Sequence, residues 1–331
     1  MKFYTGTGLL QPVKLSDAAG DILAPYLPDN DLVQAVNLAV MLGRPLLVMG
    51  EPGCGKSQLA TAVAFELYHG NLIDGNAQDY RDWFFKWNIK STSKAKDGFY
   101  DYNALGRLLD VQLAAKLAEG DALKAQNAEA YITKRAMSEA IAKSAVEYPA
   151  VLLIDEIDKA DLDFPNDLLN ELEGGNFIVP ETGKPIVEKK ANPLIIITSN
   201  RERDLPEAFL RRCIYYFIPP FDKQRLIDIL TYRFYSKNPT APDATSSALI
   251  KNAVDAFDKA RQRIKENKTS VKNISTSELI DWFGALKQTA TNSDGSVLLL
   301  QIQSFLDDKT KNLPLQQALF KNFETVEIFK K

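Results

Sequence analysis

The sequence predicts a parallel α/β core followed by an all-helical domain. Continuous apolar runs at Pro45–Met49, Val151–Ile154 and Leu194–Thr198 have the length and pattern of strands buried on both faces. A glycine-rich loop, Gly50 to Ser57, joins the first run to a helical periodicity. Beyond Pro219-Pro220 the strand pattern stops and only helical spacing remains. We therefore divide the chain into residues 1–220 and 221–331.

Composition narrows the class. The chain has 331 residues, 45% of them apolar and 25% charged, enough for a substantial core in a water-soluble protein. The net charge of −3 and the pI near 5.5 argue against a global basic surface that would draw nucleic acid. No run of 18 apolar residues suggests a membrane span. Met1–Gly6 lacks the apolar centre of a signal peptide. One of the two cysteines, Cys54 and Cys213, lies inside the glycine-rich loop, so no structural disulfide is expected and the reducing cytoplasm is the expected location. The single histidine, His69, reads as a cation at a helix end. Histidine and cysteine are too few for a zinc site.

Taken in order, residues 1–30 are broken by Pro12, Pro25 and Pro28 and read as a leading segment draped on the domain. Asp29-Asn30-Asp31 caps a helix over Leu32–Leu42 that stops at Gly43. The strand, the loop and a helix over Gln58–Leu67 follow. Residues 71–82 are turn-like, and Trp83–Lys90 alternates as a strand. Ser91–Tyr102 reads as a loop exposing Phe99-Tyr100. Residues 103–147 read as helices interrupted near Gly120-Asp121, with Pro149 closing them. Phe164–Glu173 is a helix; Asn176–Val179 and Ile186–Glu188 flank the turn residues Pro180–Pro185 as a hairpin. A short helix, Leu205–Arg212, precedes a strand over Cys213–Ile218. Helices are then expected over 222–235, 246–266, 276–289, 296–307 and 313–328.

The chemistry is concentrated at the loop and at the strand ends. Gly50-Glu51-Pro52-Gly53-Cys54-Gly55-Lys56-Ser57 matches G-x-x-x-x-G-K-S/T, and it has the strand before and the helix after that such a phosphate loop needs. Gly50, Gly53 and Gly55 let backbone N–H groups turn towards an anion, and the helix entered at Gln58 adds its positive end. Lys56 can reach β- and γ-phosphates, and the Ser57 hydroxyl can ligate Mg²⁺. Asp155, closing an apolar run, can hold the metal's hydration shell, and Glu156 can polarise an attacking water. Asn200, at the end of the next apolar run, can orient that water or serve as a turn former. Arg211-Arg212 reads either as a helix end meeting its dipole or as an arginine finger.

Together these segments resemble an AAA+ ATPase. The run Leu152-Leu153-Ile154-Asp155-Glu156-Ile157-Asp158-Lys159-Ala160, the hairpin at 176–188 and Leu205-Pro206-Glu207-Ala208-Phe209-Leu210 resemble the MoxR-like group in particular. The resemblance covers nearly the whole chain. It implies a P-loop AAA+ core with a helical lid, ATP and Mg²⁺ as cofactors, and ATP hydrolysis between subunits of a ring, usually a hexamer. It also implies chaperone-like remodelling of a protein client beside a von Willebrand factor A domain partner, and an insert in the second helix falling within 91–147. Arg212 matches the finger position, while Arg211 stands where the family has Asp, so either arginine can project. Glu278 stands where the family has a sensor arginine; Ser275 or Ser277 caps that helix, and Lys272 is the nearby cation that could substitute. Two other functions compete. One is an ATP-switched assembly module with slow turnover, to which Glu278 lends weight. The other is a DNA-associated AAA+ protein, which the acidic balance disfavours.

Overall fold

A computed structural model describes residues 3–14, 22–73, 75–114, 127–173, 176–235, 242–266, 273–292, 295–308, 311–321, 326 and 329. The chain groups into two compact units. The first holds Pro28–Met49 and Ser57–Phe217, with the amino-terminal residues up to Thr5; the second holds Gly6–Leu27, Gly50–Lys56 and the chain from Ile218 onward.

The first unit is built on a five-stranded sheet. Its strands are β1 (Leu46–Gly50), β2 (Phe84–Asn88), β3 (Val151–Asp155), β4 (Leu194–Ser199) and β5 (Ile214–Ile218), in the order β5-β1-β4-β3-β2. The pairs β1–β4, β4–β3 and β3–β2 are parallel, so these strands end on the same edge of the sheet. Every residue of β1, β3 and β4 is buried, whereas β2 and β5, at the edges, are partly exposed. That difference is why the three central strands are continuous apolar runs. Register places Ile196 beside Leu46, Ile197 beside Ile154, and Asn88 beside Asp155.

The helices are α1 (Asn30–Leu42), α2 (Lys56–Tyr68), α3 (Ala104–Ala114), α4 (Ala136–Lys143), α5 (Phe164–Glu173) and α6 (Glu207–Leu210). Helix α1 starts as its sequence requires. Asp29 accepts the Leu32 N–H at its start, and Gly43 closes it in the left-handed region at φ 61°.

Several short elements depart from the sequence expectation. Tyr100–Tyr102, expected in a loop, pairs antiparallel with Ile132–Lys134, expected as helix. Phe99 and Tyr100 are not exposed. They are 1% and 6% accessible, and Phe99 stacks on Phe177 with ring centroids 4.3 Å apart. Strands this short carry too little period-2 signal to be separated from a loop or a helix. The expected interruption at Gly120-Asp121 lies outside the described residues. Leu72–Ile73 and Asn76–Ala77 form a small hairpin inside the turn-like stretch, and Trp83 belongs to a one-turn helix capped by Asp79. The hairpin before β4 pairs Ile178–Val179 with Lys184–Pro185, so its second strand begins before Ile186. Gly183, at φ 70°, donates its N–H to the Val179 carbonyl at 2.8 Å and closes that turn early.

The second unit has α7 (Lys223–Tyr235), α8 (Ala244–Glu266), α9 (Thr276–Asn292), α10 (Gly295–Asp307) and the single turn α11 (Gln316–Leu319). The helix expected over 313–328 appears as α11 among the described residues. A paired strand segment, Val13–Lys14 with Ile22–Leu23, also belongs to this unit. Leu230, Phe257, Trp282, Phe283, Ile302 and Phe305 are among its core residues. Trp282 is fully buried, and its indole N–H donates to the Pro314 carbonyl at 2.8 Å. Trp282→Ala removes the ring and leaves that carbonyl unpaired. We expect it to cost about 3–5 kcal/mol, read as a lower urea midpoint for the helical unit.

Candidate functional site

At the strand-end edge of the first unit, β3 delivers Asp155 and β4 delivers Thr198. Asp155 is 8% accessible, and both of its oxygens are engaged. Oδ1 accepts the Ser57 hydroxyl at 2.6 Å and the Thr198 hydroxyl at 2.7 Å. Oδ2 lies 3.0 Å from the Lys86 ammonium of β2. Burial works against the charge, but the hydroxyls of Ser57 and Thr198 and the Lys86 ammonium outweigh it and hold the carboxyl below its ordinary value of 3.8.

Glu156 follows in the left-handed region at φ 61°, a conformation that non-glycine residues rarely adopt. Its N–H donates to the Thr198 hydroxyl at 2.9 Å, which fixes this turn against β4. The Asn200 side-chain amide donates to Glu156 Oε1 at 3.1 Å, and the Lys159 ammonium pairs with Oε2. Arg201 is also left-handed at φ 61°, immediately after Asn200. Buried Asp158 steadies this second turn, its Oδ2 accepting the N–H groups of Asn200 at 3.0 Å and Glu202 at 2.9 Å. Ser57, Asp155, Glu156 and Asn200, expected to cooperate, are therefore joined through Thr198 by one network of hydrogen bonds.

The loop Gly50–Lys56 is described within the second unit. Lys56 is 6% accessible, and its ammonium donates to the carbonyls of Gly50 and Glu51, both at 2.9 Å, with the Cys54 sulfur at 3.9 Å. Burial pushes the Cys54 thiol up, against the lowering effect of Lys56. Gly53 and Gly55 have φ of 74° and 93°. A Cβ on Gly53 would come within 2.4 Å of the Ser277 hydroxyl and 2.9 Å of the Ser275 hydroxyl. One on Gly55 would meet the Tyr26 ring at 3.2 Å. Gly53 is thus constrained both by its positive φ and by a clash, whereas at Gly55 the positive φ is the main constraint. Pro52 is exposed, and Gln58 lies in the first turn of α2.

The start of α9 is a capping box. Glu278 Oε2 accepts the Ser275 N–H at 2.6 Å and its hydroxyl at 3.1 Å, while the Ser275 hydroxyl accepts the Glu278 N–H at 3.5 Å. Ser275, not Ser277, is the cap. Lys272 lies outside the described residues. A cation that the sequence reading missed does meet the loop: Arg261 of α8 pairs with Glu51 at 2.8 Å, its side chain only 10% accessible. The available signal was an arginine on an otherwise apolar stripe, between Phe257 and Ile264 at helical spacing. Lys86, Lys159 and Thr198 were missed too, because their partners are distant in sequence or become neighbours only when the turn forms.

The two arginines separate. Arg212 reaches Asn170 Oδ1 at 3.2 Å and Glu173 Oε1 at 3.5 Å, both on α5. Arg211 pairs with Glu207 one helical turn back at 3.0 Å, with its side chain 80% accessible. Both line a cavity of about 290 Å³ together with Arg44 and Lys189. Among the described residues, the bonds recorded for either arginine stay on α5 and α6 and do not reach the Asp155 network.

Taken unit by unit, the donors suit a metal ion in the first and an anion in the second. Ser57 and Asp155 offer the hard oxygens that Mg²⁺ takes, and the left-handed glycines and Lys56 suit an oligophosphate. The lowered Asp155 pKa also makes a prediction about stability. The contribution is complete above the unfolded value near 3.8 and is lost as the pH falls through the lower folded value. Asp155→Asn should therefore flatten the decline of the urea midpoint below about pH 4 relative to the parent chain.

A family profile spans the residues of this geometry. The profile of the ATPase family associated with various cellular activities (AAA) matches residues 46–219, just over half of the chain. No curated protein matches the chain. Among solved structures, a RuvB mutant from Thermotoga maritima aligns at 15% identity and a TM-score of 0.42, covering 83% of this chain and 67% of the other. Among the described residues, no helix is long and apolar enough to cross a membrane. With the family profile running from β1 to just past β5, across the phosphate loop and the strand-end network, the chain belongs to the AAA family of ATPases.

Proposed function

We propose that this protein hydrolyses ATP as a MoxR-like AAA+ remodelling ATPase. The observation that carries this reading is the network joining Ser57, Asp155, Thr198, Glu156 and Asn200. Lys56 and Ser57 are consecutive, so the loop lysine and the metal-facing hydroxyl serve the same nucleotide. Magnesium, when bound with ATP, supplies positive charge to the β- and γ-phosphate oxygens. Ser57 and Asp155 would hold it, and Lys56 would leave the loop carbonyls for the phosphates. Glu156 takes the proton of the attacking water at a carboxylate oxygen, and Asn200 holds that carboxylate in place. Glu51, Pro52, Cys54 and Gln58 line the same loop and helix start, with Gly50, Gly53 and Gly55 shaping its backbone.

The MoxR-like assignment draws support from the hairpin Ile178–Val179/Lys184–Pro185 ahead of β4. With it come a ring, most simply a hexamer, a protein client, a von Willebrand factor A domain partner and a cytoplasmic location. We keep the division at residues 1–220 and 221–331 as the working domain boundary. Arg212, braced by α5, is the better candidate finger than the exposed Arg211.

A slow-turnover switch is the second reading, and one observation favours it. Asn200 occupies one oxygen of Glu156 and Lys159 the other, so the carboxylate meant to take a proton is already engaged. Steady-state ATPase with and without the partner separates the two.

Lys56→Ala should abolish binding of a fluorescent ATP analogue, whereas Glu156→Gln should keep binding and lower turnover by about 10²–10⁴-fold. Unchanged turnover in Glu156→Gln would remove the assigned base. Arg212→Ala should lower hydrolysis by about 10³-fold without loosening nucleotide, with Arg211→Ala nearly silent. The parent's activity per chain should rise with protein concentration. Hydrolysis insensitive to both the Arg212 change and concentration would defeat the shared-site arrangement.

A further inference from the structure

Lys86 carries charge at the strand-end network, yet no step above uses it. It sits on β2 opposite Leu153 of β3, two residues before the Asn88–Asp155 pair. That offset is about 6.6 Å along the strand, within reach of a lysine stem. The ammonium meets Asp155 Oδ2 at 3.0 Å, while Oδ1 is taken by Ser57 and Thr198. The two partners differ in freedom. The Asp155 side chain is 12% accessible and held by three groups; the Lys86 side chain is 42% accessible. Lys86 also lines an open cleft of about 680 Å³, where Asp97, Asp101 and Glu139 stand beside Lys90, Lys134 and Arg135. Asp101 is paired with Arg135 at 2.8 Å, and Asp97 accepts the Lys94 N–H at 2.9 Å. The cleft is open and lined by charges of both signs, so an ammonium released from Asp155 stays among polar groups.

We propose that Lys86 is a positioning residue, the resident counter-cation of Asp155, with which magnesium competes for the carboxylate. The inference rests on the reading of Asp155 as the metal-holding carboxylate. Before metal arrives, Lys86 offsets the cost of a largely buried charge and keeps Asp155 directed at Ser57. When metal arrives, two cations face one carboxylate, and the one on the flexible stem gives way. Lys86 therefore raises the magnesium concentration at which the nucleotide complex forms.

The test is thermal unfolding of the full chain with a saturating non-hydrolysable ATP analogue, titrated with Mg²⁺. Lys86→Met is expected to lower the half-saturating Mg²⁺ concentration about tenfold, and Lys86→Arg, which keeps the charge, to stay near the parent value. An unmoved midpoint in Lys86→Met, or an equal shift in Lys86→Arg, overturns the proposal. No nucleotide- and magnesium-dependent shift in the parent chain overturns the ATPase reading itself and this inference with it. Should Lys86→Met fail to fold, the parent chain still gives an answer. Acylation of the Lys86 amine, read by mass spectrometry, should be several-fold faster with analogue and Mg²⁺ than with analogue and EDTA, and equal rates overturn the proposal.

Discussion

A carboxylate that closes a fully buried strand has lost most of its water, and it stays charged only if other groups replace that water. Asp155 is in this position, and much of the first unit can be understood as the set of groups that meet it. Two hydroxyls take one oxygen and an ammonium faces the other. The strand order supplies them. Because β4 lies between β1 and β3, Thr198 stands beside Val48 in one ladder and one residue past the Ile197–Ile154 pair in the other. Because β2 covers the far side of β3, Lys86 reaches the remaining oxygen. A different strand order would leave a charged group buried without partners, at a cost of several kcal/mol.

The two turns beyond the strand ends show a related constraint. Glu156 and Arg201 are both non-glycine residues in the left-handed region, each costing about 1–3 kcal/mol. Such a conformation persists where surrounding bonds determine it. At Glu156 the determinant is its N–H on Thr198; around Arg201 it is Asp158, which accepts from the residues on either side, together with the Arg201 N–H donated to the Ser199 hydroxyl. Thr198 thus serves both sides of the network, donating to Asp155 and accepting from Glu156. The carboxylate of Glu156 and the amide of Asn200 meet because both turns are held open in this way.

Legibility in the sequence followed the length scale of each signal. The central strands were readable because burial on both faces leaves continuous apolar runs, and the phosphate loop because its backbone shape demands glycines at fixed spacing. Helices α7 to α10 were readable because each spans several turns of periodicity. Tyr100–Tyr102 and Ile132–Lys134 were not, since three residues cannot establish a period and their partner strands are about thirty residues apart. Site residues divide in the same way. Asp155 and Glu156 announce themselves by ending an apolar run. Thr198, inside one, looks like an ordinary β-branched strand residue, and Lys86 like an edge-strand charge, until the register puts each beside Asp155.

Glu278 shows how a departure from a family pattern acquires a physical account. Where the resemblance implies a cation, the chain has an acid, and that acid is committed locally to the Ser275 N–H and hydroxyl. An acid suits the positive end of a helix, where an arginine would be disfavoured by the same dipole. The positive charge near the loop comes instead from α8, where Arg261, on a face otherwise buried and apolar, pairs with Glu51. A largely buried guanidinium is costly to leave unpaired, so Glu51, a position that the G-x-x-x-x-G-K-S/T motif leaves unspecified, has a defined partner in this chain. Gly53, against the hydroxyls of Ser275 and Ser277, brings the same loop to the start of α9. The loop is therefore specified twice: by its own glycines, which set its backbone, and by the helical unit, which supplies the cation and the hydroxyls around it.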